Sequence, residues 1–336
     1  MRVLRLKNPP SVVGFASVVG GKEYHGPLGA EFDLHDETGK FGMDTWEKSE
    51  SEMQRLALNL ALAKGKCLSD APQVIFAGDL MNQCTGSAYG LLGFGKPYFG
   101  LYGACSTFAE ATALSALLIS AGYFDSAAAI SSSHFCSAER QFRFPLEYGG
   151  QRAPTAQWTA TAAGAAILSS TGSGPYVTEV LPGAIVDKGI SDVNNMGAAM
   201  APAAIDTLTA YFTETGKQPN DFDLILTGDL GLEGHGITLT LMKNAGWDMT
   251  GVYNDCGLLL YGAGSQDVHC GGSGCGCSAS VICGHILKRL ERGELKNVLY
   301  LATGALMSPS CLKQGATIPG IAHLVHFSAE KPGEEK

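Results

Sequence analysis

Residues Leu101–Phe124, LYGACSTFAEATALSALLISAGYF, decide the fold. Phe108, Ala111, Leu114, Leu118 and Ile119 recur at helical spacing, with Ala104, Ala109, Ala113 and Ala116 filling in between and no proline to interrupt them. A helix apolar nearly all round belongs in the middle of a domain rather than on its surface. Cys105 falls at its start, where unpaired backbone N–H groups and the helix dipole favour a negative charge, so its thiolate is favoured and the residue is a candidate reactive or ligand-facing cysteine. The alternative is a small buried core residue, the common fate of a free cysteine.

Outward from this helix the chain alternates between strand and helix patterns. On the N-terminal side, Ser11–Val19 reads as a strand and the Gly-, Asp- and His-rich segment to Trp46 as a surface excursion. Ser49 with Glu52 forms a candidate capping box before a helix carrying Met53, Leu56, Ala57, Leu60 and Ala61. Gln73–Ala77 is a strand turning out through Gly78-Asp79-Leu80, residues 81–96 a loop, and Tyr98–Leu101 a short strand. Beyond the helix, Ser126–Ser131 and Thr161–Ser169 are strands, and Ser170–Pro175 is loop. The pattern then restarts: strand Tyr176–Ile185, helix Met200–Phe212 with a proline near its first turn, strand Asp223–Thr227, a helix, the apolar CGLLLY read as strand, and a Gly/Cys turn 271–277 opening a helix from Ser278 to about Arg292. Val298–Ala302 and Ile321–Phe327 complete the strands.

The two halves read as copies. QVIFAGDL (Gln73–Leu80) matches DLILTGDL (Asp223–Leu230), and GACS (Gly103–Ser106) matches GCGCS (Gly274–Ser278). Cys105 precedes Ser131 by 26 residues, and Cys277 precedes Ala302 by 25. Three pairs in one order indicate a duplication, with boundaries at 1–172 and 173–330 and a charged tail at 331–336. Alternating elements argue for α/β layers with mainly parallel sheets.

Composition narrows the function. The 336 residues are 45% hydrophobic and 16% charged, with 44 glycines, as in a well-packed globular chain. A net charge of −9 without a basic stripe excludes nucleic acid as a partner and requires local positive potential for any anionic ligand. No charged-then-apolar leader follows Met1, and no apolar run reaches the roughly 18–20 residues that span a bilayer. The expectation is a chain without signal peptide or transmembrane segment, its ten cysteines reduced.

A duplicated α/β chain with a cysteine at the start of its first buried helix resembles the thiolase superfamily, in which two similar halves pack around two central helices in five layers. More closely, AGDLMNQ (Ala77–Gln83), LYGACST (Leu101–Thr107), SSHFCSAERQFRFPLEYGGQ (Ser132–Gln151), GAAMAPAAIDT (Gly197–Thr207), LILTGDL (Leu224–Leu230), YNDCGLLLY (Tyr253–Tyr261), GGSGCGCSA (Gly271–Ala279) and LATGALMSP (Leu301–Pro309) resemble a sporulation branch of that superfamily. The resemblance implies a thiolase-like fold of duplicated α/β halves with pseudo-twofold symmetry. It implies handling of dipicolinate (pyridine-2,6-dicarboxylate), taken into the developing spore and released at germination through a membrane assembly of which such a chain is the soluble member. Dipicolinate and the other subunits are thus the expected partners. Localisation would be peripheral, at the inner spore membrane. A homodimer, through Ser126–Ser131, is also implied, and calcium enters only as part of the ligand, with no cofactor.

Superfamily enzymes add a His–Asn, His–His or His–Cys set from the second half, which positions the substrate carbonyl and stabilises its oxyanion. Here the corresponding strand end reads Thr227-Gly228-Asp229 and the later turn Gly272-Ser273-Gly274-Cys275. An Asp there would repel a developing oxyanion, so the set reads as dismantled and no catalytic residue is assigned. The alternatives are an acyl-transferring enzyme using Cys105 and a scaffold that binds nothing. For binding, the helix starts at Cys105-Ser106 and Cys277-Ser278 would face each other and offer N–H groups to a carboxylate. His134 is placed beside them, or else is a histidine satisfied at a strand end. The ligand-binding set is Cys105, Ser106, His134, Asp229, Cys256, Ser273, Cys275 and Cys277. Arg140 and Arg143 are candidate carboxylate partners or surface ion pairs. Asp79 and Asp229 either hold calcium or, preferably, cap the turns after their strands. His269, Cys270, Cys275, Cys277, Cys283 and His285 lack paired zinc spacing, so no metal is assigned. GGSGCG lacks the Gly-Lys-Ser/Thr ending of a phosphate loop.

Overall fold

Ser11–Gly20 (β1) carries valine, alanine, serine and glycine with almost no exposed side chain, as expected of a strand covered on both faces. It lies at the middle of a sheet in the computed structural model of the chain, which describes residues 2–66, 71–142, 151–262 and 264–331. Most of the charged tail falls outside these residues. The further first-half strands are Val74–Gly78 (β2), Tyr98–Gly100 (β3), Ser126–Ser133 (β4) and Ala162–Ser169 (β5). Those of the second half are Tyr176–Leu181 (β6), Leu224–Thr227 (β7), Tyr253–Asp255 (β8), Asn297–Ala305 (β9) and Gly320–Ser328 (β10).

The order across the sheet is β8-β7-β9-β10-β6-β1-β5-β4-β2-β3. Outward from the centre, 1-5-4-2-3 repeats as 6-10-9-7-8. The halves meet through antiparallel pairing of Ser11 with Tyr176 and of Leu4–Arg5 with Val180 and Glu179. The sheet is mixed rather than mainly parallel: β4, β2 and β3 run parallel, as do β9, β7 and β8, but β5 and β10 return antiparallel to their neighbours. Each follows its predecessor as the chain turns back, without a crossover to restore direction.

Helices complete five layers. Trp46–Lys64 (α1) and Thr85–Leu91 (α2) cover the outside of the first half. Thr107–Ser120 (α3) packs on β4 and β2 of its own half and on β10 and β9 of the other. Phe135–Phe142 (α4) follows β4. Met196–Thr215 (α5) and Gly231–Asn244 (α6) belong to the second half, α5 lying on β10 and β9. Cys256–Leu260 (α7) leads to Cys275–Val281 (α8), which continues through a wide-turned segment to Glu291 and packs on β5, β4 and β1. The two central helices thus bridge the halves, as the sequence of α3 predicts. Phe108, Ala109, Ala111, Ala113, Ala116 and Ile119 are buried there, while Leu114 and Leu118 are half-buried against the same core. The small side chains permit close approach: a Cβ on Gly164 of β5 would lie 2.4 Å from the carbonyl oxygen of Ala279 in α8.

Local readings shift where a competing signal is stronger. α1 starts at Trp46 because Thr45 caps it, accepting from Lys48 N at 3.3 Å; Ser49 is inside the helix and donates to the Thr45 and Lys40 carbonyls. α2 occupies part of the expected 81–96 loop. α5 begins at Met196 under an Asn195 cap, so Pro202 lies within it. CGLLL is helix α7, not strand, because the Asp255 side chain caps it from Gly257 N. α8 begins at Cys275, which places Cys277 inside it. The excursion before Trp46 is partly internal: Leu34–Asp36 pairs with β1, and Glu23 and Phe41 are buried. β4 is hydrogen-bonded to β2 on one side and β5 on the other, so it has no free edge for a second copy. The free edge of that half is β3, whose three residues are exposed.

Candidate functional site

Strands β2 and β7 both end in Gly-Asp-Leu, but their aspartates do different work. Asp79 caps its own turn, accepting from Met81 N (3.0 Å), Ser87 N (2.8 Å) and Ser87 Oγ (2.6 Å). In the second half that task passes to Asp255 at the end of β8, which accepts from Leu230 N, Gly231 N and Thr227 Oγ1 at 2.8, 3.1 and 2.7 Å. Asp229 is released to reach across to the start of α8. Its Oδ2 accepts from Gly274 N (2.9 Å) and Ser273 Oγ (3.1 Å), and its Oδ1 from Thr303 Oγ1 (2.9 Å). The expected Asp229 turn cap is therefore replaced by Asp255.

This also corrects the view of the second helix start as open to an external carboxylate. Gly274 N is taken by Asp229 and Gly276 N by Ser133 Oγ at 3.2 Å, so an internal carboxylate already occupies the position. Burial pushes the Asp229 carboxyl up to about 7, against the hydrogen bonds that favour its ionised form.

Cys105 sits on the tight turn Ala104–Ser106 before α3, where Ala104 has a positive φ of 50°. Its Sγ lies 3.9 Å from Ser273 Oγ, which in turn donates to Asp229. Burial, and then the Asp229 carboxylate, push the thiol well above its ordinary range. The thiolate expected from the helix start is therefore disfavoured, because burial and a carboxylate outweigh the dipole.

Cys105 and Ser273 form the floor of a cavity of about 110 Å³. Its walls are mainly apolar, with Leu80, Tyr102, Phe142, Met196, Met200 and Met307, and Val193 and Asn194 complete the rim. Glu139, Thr159 and Gln157 add polarity, and no lysine, arginine or histidine among the described residues lines it. Gln157 is only 4% exposed. Its Nε2 donates to the Asp229 and Gly272 carbonyls at 2.6 and 2.8 Å, which fixes the amide and leaves Oε1 without a partner.

Of the residues singled out in the sequence, the fold brings Cys105, Asp229 and Ser273 together here. Cys275 lies directly behind, its thiol donating to the Ser132 carbonyl at 2.9 Å. Ser106 donates to Gly103 O at 2.6 Å. Cys277 and Cys256 are buried in the central core. His134 does not line the cavity: its Nε2 meets Gly39 O at 2.9 Å and its Nδ1 accepts from Cys136 N, and burial lowers its pKa. Arg140 pairs with Glu47 at 2.9 Å on the surface, and Arg143 lies outside the described residues. His269 contacts Ala153 O, His285 pairs with Glu31, and Cys283 meets Ala165 O, so the Cys/His segment is dispersed. Tyr102, Gln157, Thr159, Asn194 and Met307 were not foreseen. Of these, Tyr102 and Met307 carried a signal, their places in the LYGACST and LATGALMSP motifs.

The layered architecture and the Cys105 floor define a thiolase-like protein. Solved structures agree on the fold: OleA of Xanthomonas campestris (TM-score 0.60, 14% identity, 97% of this chain and 99% of that one) and human mitochondrial 3-ketoacyl-CoA thiolase (0.58, 11%, 97% and 99%). The 3-oxoacyl-[acyl-carrier-protein] synthase III of Aquifex aeolicus is comparable (0.57, 11%, 95% and 99%). Within that class, the family model for stage V sporulation protein AD (SpoVAD) matches residues 1–328. Stage V sporulation protein AD of Bacillus subtilis (strain 168) is 41% identical over 321 residues, 96% of this chain and 95% of that protein. The chain belongs to the stage V sporulation protein AD family.

Proposed function

We propose that the protein binds dipicolinate in the Cys105 cavity, without acyl transfer, and takes part in its movement into and out of the spore as the peripheral, soluble member of a membrane assembly. One observation carries the reading: Cys105 lies 3.9 Å from a Ser273 hydroxyl that donates to Asp229, and burial first and that carboxylate second keep the cysteine a thiol. A thiol kept protonated is a poor nucleophile. What remains is a small pocket with aromatic walls at Tyr102 and Phe142 and a narrow polar floor, suited to a flat ring with polar substituents. No helix among the described residues is long and apolar enough to cross a membrane, in keeping with a peripheral role.

Calorimetric titration of dipicolinate into the wild type and Ala305→Phe tests this reading. Ala305 lines the cavity at the half-buried end of β9, so a phenyl group there fills the space. Saturable binding lost in the variant supports the reading; equal binding in both moves the ligand elsewhere. A stable acyl adduct on Cys105 from a thioester would favour enzymatic transfer instead.

We further propose that the homodimer forms through β3. Its edge is unpaired and presents Tyr98 and Phe99, the latter 53% exposed, with Tyr89 and Leu92 exposed nearby in sequence. A second copy is a self-complementary occupant for such an edge, since two identical strands pair antiparallel about a twofold axis.

A further inference from the structure

The cavity floor offers an acceptor while Asp229 is ionised. Ser273 Oγ gives its proton to Asp229 Oδ2 across 3.1 Å and so presents its lone pairs to whatever enters. Glu139 stands in the wall, and none of the cavity residues described is a cation. A carboxylate placed against Ser273 meets a lone pair, with a buried negative charge directly behind it.

Protonation of Asp229 reverses the arrangement. A proton on Oδ2 is donated to Ser273 Oγ along the same 3.1 Å line, and the Ser273 hydroxyl, able to rotate, then points into the cavity as a donor. Gly274 N and Thr303 Oγ1 still donate to the aspartate, so its position is kept.

We infer that Asp229 is the proton-linked element of this site, and that an aromatic carboxylate is taken up together with one proton relayed through Ser273. The inference rests on the binding reading above and adds the charge state of the complex. The groups facing Asp229 are Cys105 from the turn before α3, Ser273, Gly274, Cys275 and Cys277 from the α8 start, Tyr300 and Thr303 from β9, Asp255 from β8, Cys256 from α7 and Gln157 Nε2 at its carbonyl. None is a cation, and Asp255 is a second acid that opposes its ionisation. A carboxyl pushed up to about 7 is available to be protonated near neutrality when a second negative charge arrives.

Titration calorimetry of the full chain with dipicolinate, from pH 6 to 9 in two buffers of different ionisation heat, is the test. The expected result is uptake of about one proton per ligand near pH 8, with affinity falling about tenfold per pH unit above 7. Asp229→Asn, which has no carboxyl to titrate, should bind with an affinity independent of pH and no proton uptake. Ser273→Ala provides a second arm, with binding about tenfold weaker at pH 6. Saturable wild-type binding with no proton uptake and a flat pH profile overturns the inference and leaves the binding reading intact. Wild-type affinity and uptake in Ser273→Ala also overturn it. Absence of binding in every protein at every pH removes both.

Discussion

Asp79 and Asp229 end equivalent strands in the two halves, but only Asp79 caps its own turn; Asp229 crosses to Gly274 at the start of the second central helix, 2.9 Å away. The exchange is possible because Asp255, from the neighbouring strand, takes over the second turn. One substitution of roles thus places a buried carboxyl between the two central helix starts and sets the chemistry of Cys105.

Cys105 should react slowly. With iodoacetamide at pH 8 followed by peptide mass spectrometry, Cys105 is expected to label far more slowly than the exposed Cys311. Asp229→Asn removes the neighbouring charge and should speed labelling about tenfold, the equivalent of one pKa unit. Equal rates at Cys105 and Cys311 in the wild type would contradict the protonated thiol.

Stability should fall as the solution becomes alkaline. Burial pushes Asp229 up to about 7 and Glu50, with Asp79 as the next cause, up to about 8. Unfolded, such groups titrate near 4, so between about pH 4 and 8 the native state holds more protons than the unfolded chain. The sign is then fixed: stability falls as pH rises through that window, by on the order of 1.4 kcal/mol for each pH unit and each group that keeps its proton only in the native state. Thermal melts at pH 6 and 8.5 and constant ionic strength should show the lower Tm at 8.5. Glu50→Gln, whose Oε1 can still accept from Ser132 while its Nε2 donates to Ser137, should flatten the difference.

The central packing should tolerate no added methyl at Gly164. Its Cβ would meet the Ala279 carbonyl at 2.4 Å, backbone against backbone, where neither partner can turn aside. Gly164→Ala is expected to cost on the order of 3 kcal/mol in denaturant unfolding. A change below about 0.5 kcal/mol would mean that the two central layers are less closely packed than this.

Phe99→Asp should halve the molar mass seen by light scattering if two copies join along β3, with no change in far-ultraviolet circular dichroism, since the side chain is exposed. A wild-type monomer, or an unchanged dimer in the variant, would rule out that edge.

The amino-acid sequence by itself determined the α/β class, the buried helix after Cys105 and the repeat of strand-Gly-Asp-Leu, because helical periodicity and short apolar runs are local signals. Its failures were also local. The Thr45 and Asn195 caps and the Asp255 cap on CGLLL each outweighed the pattern that set the expected boundary. Cys105, Asp229 and Ser273 could be singled out, but not the manner of their meeting. Which aspartate caps a turn and which faces a thiol depends on β8 lying beside β7, a neighbour relation that only the sheet establishes. The sequence likewise presented Cys105 at a helix start, where a lone helix favours the thiolate. Only the tertiary structure buried it beside a carboxylate, and away from water that burial and a full negative charge together outweigh the partial charge of a helix end.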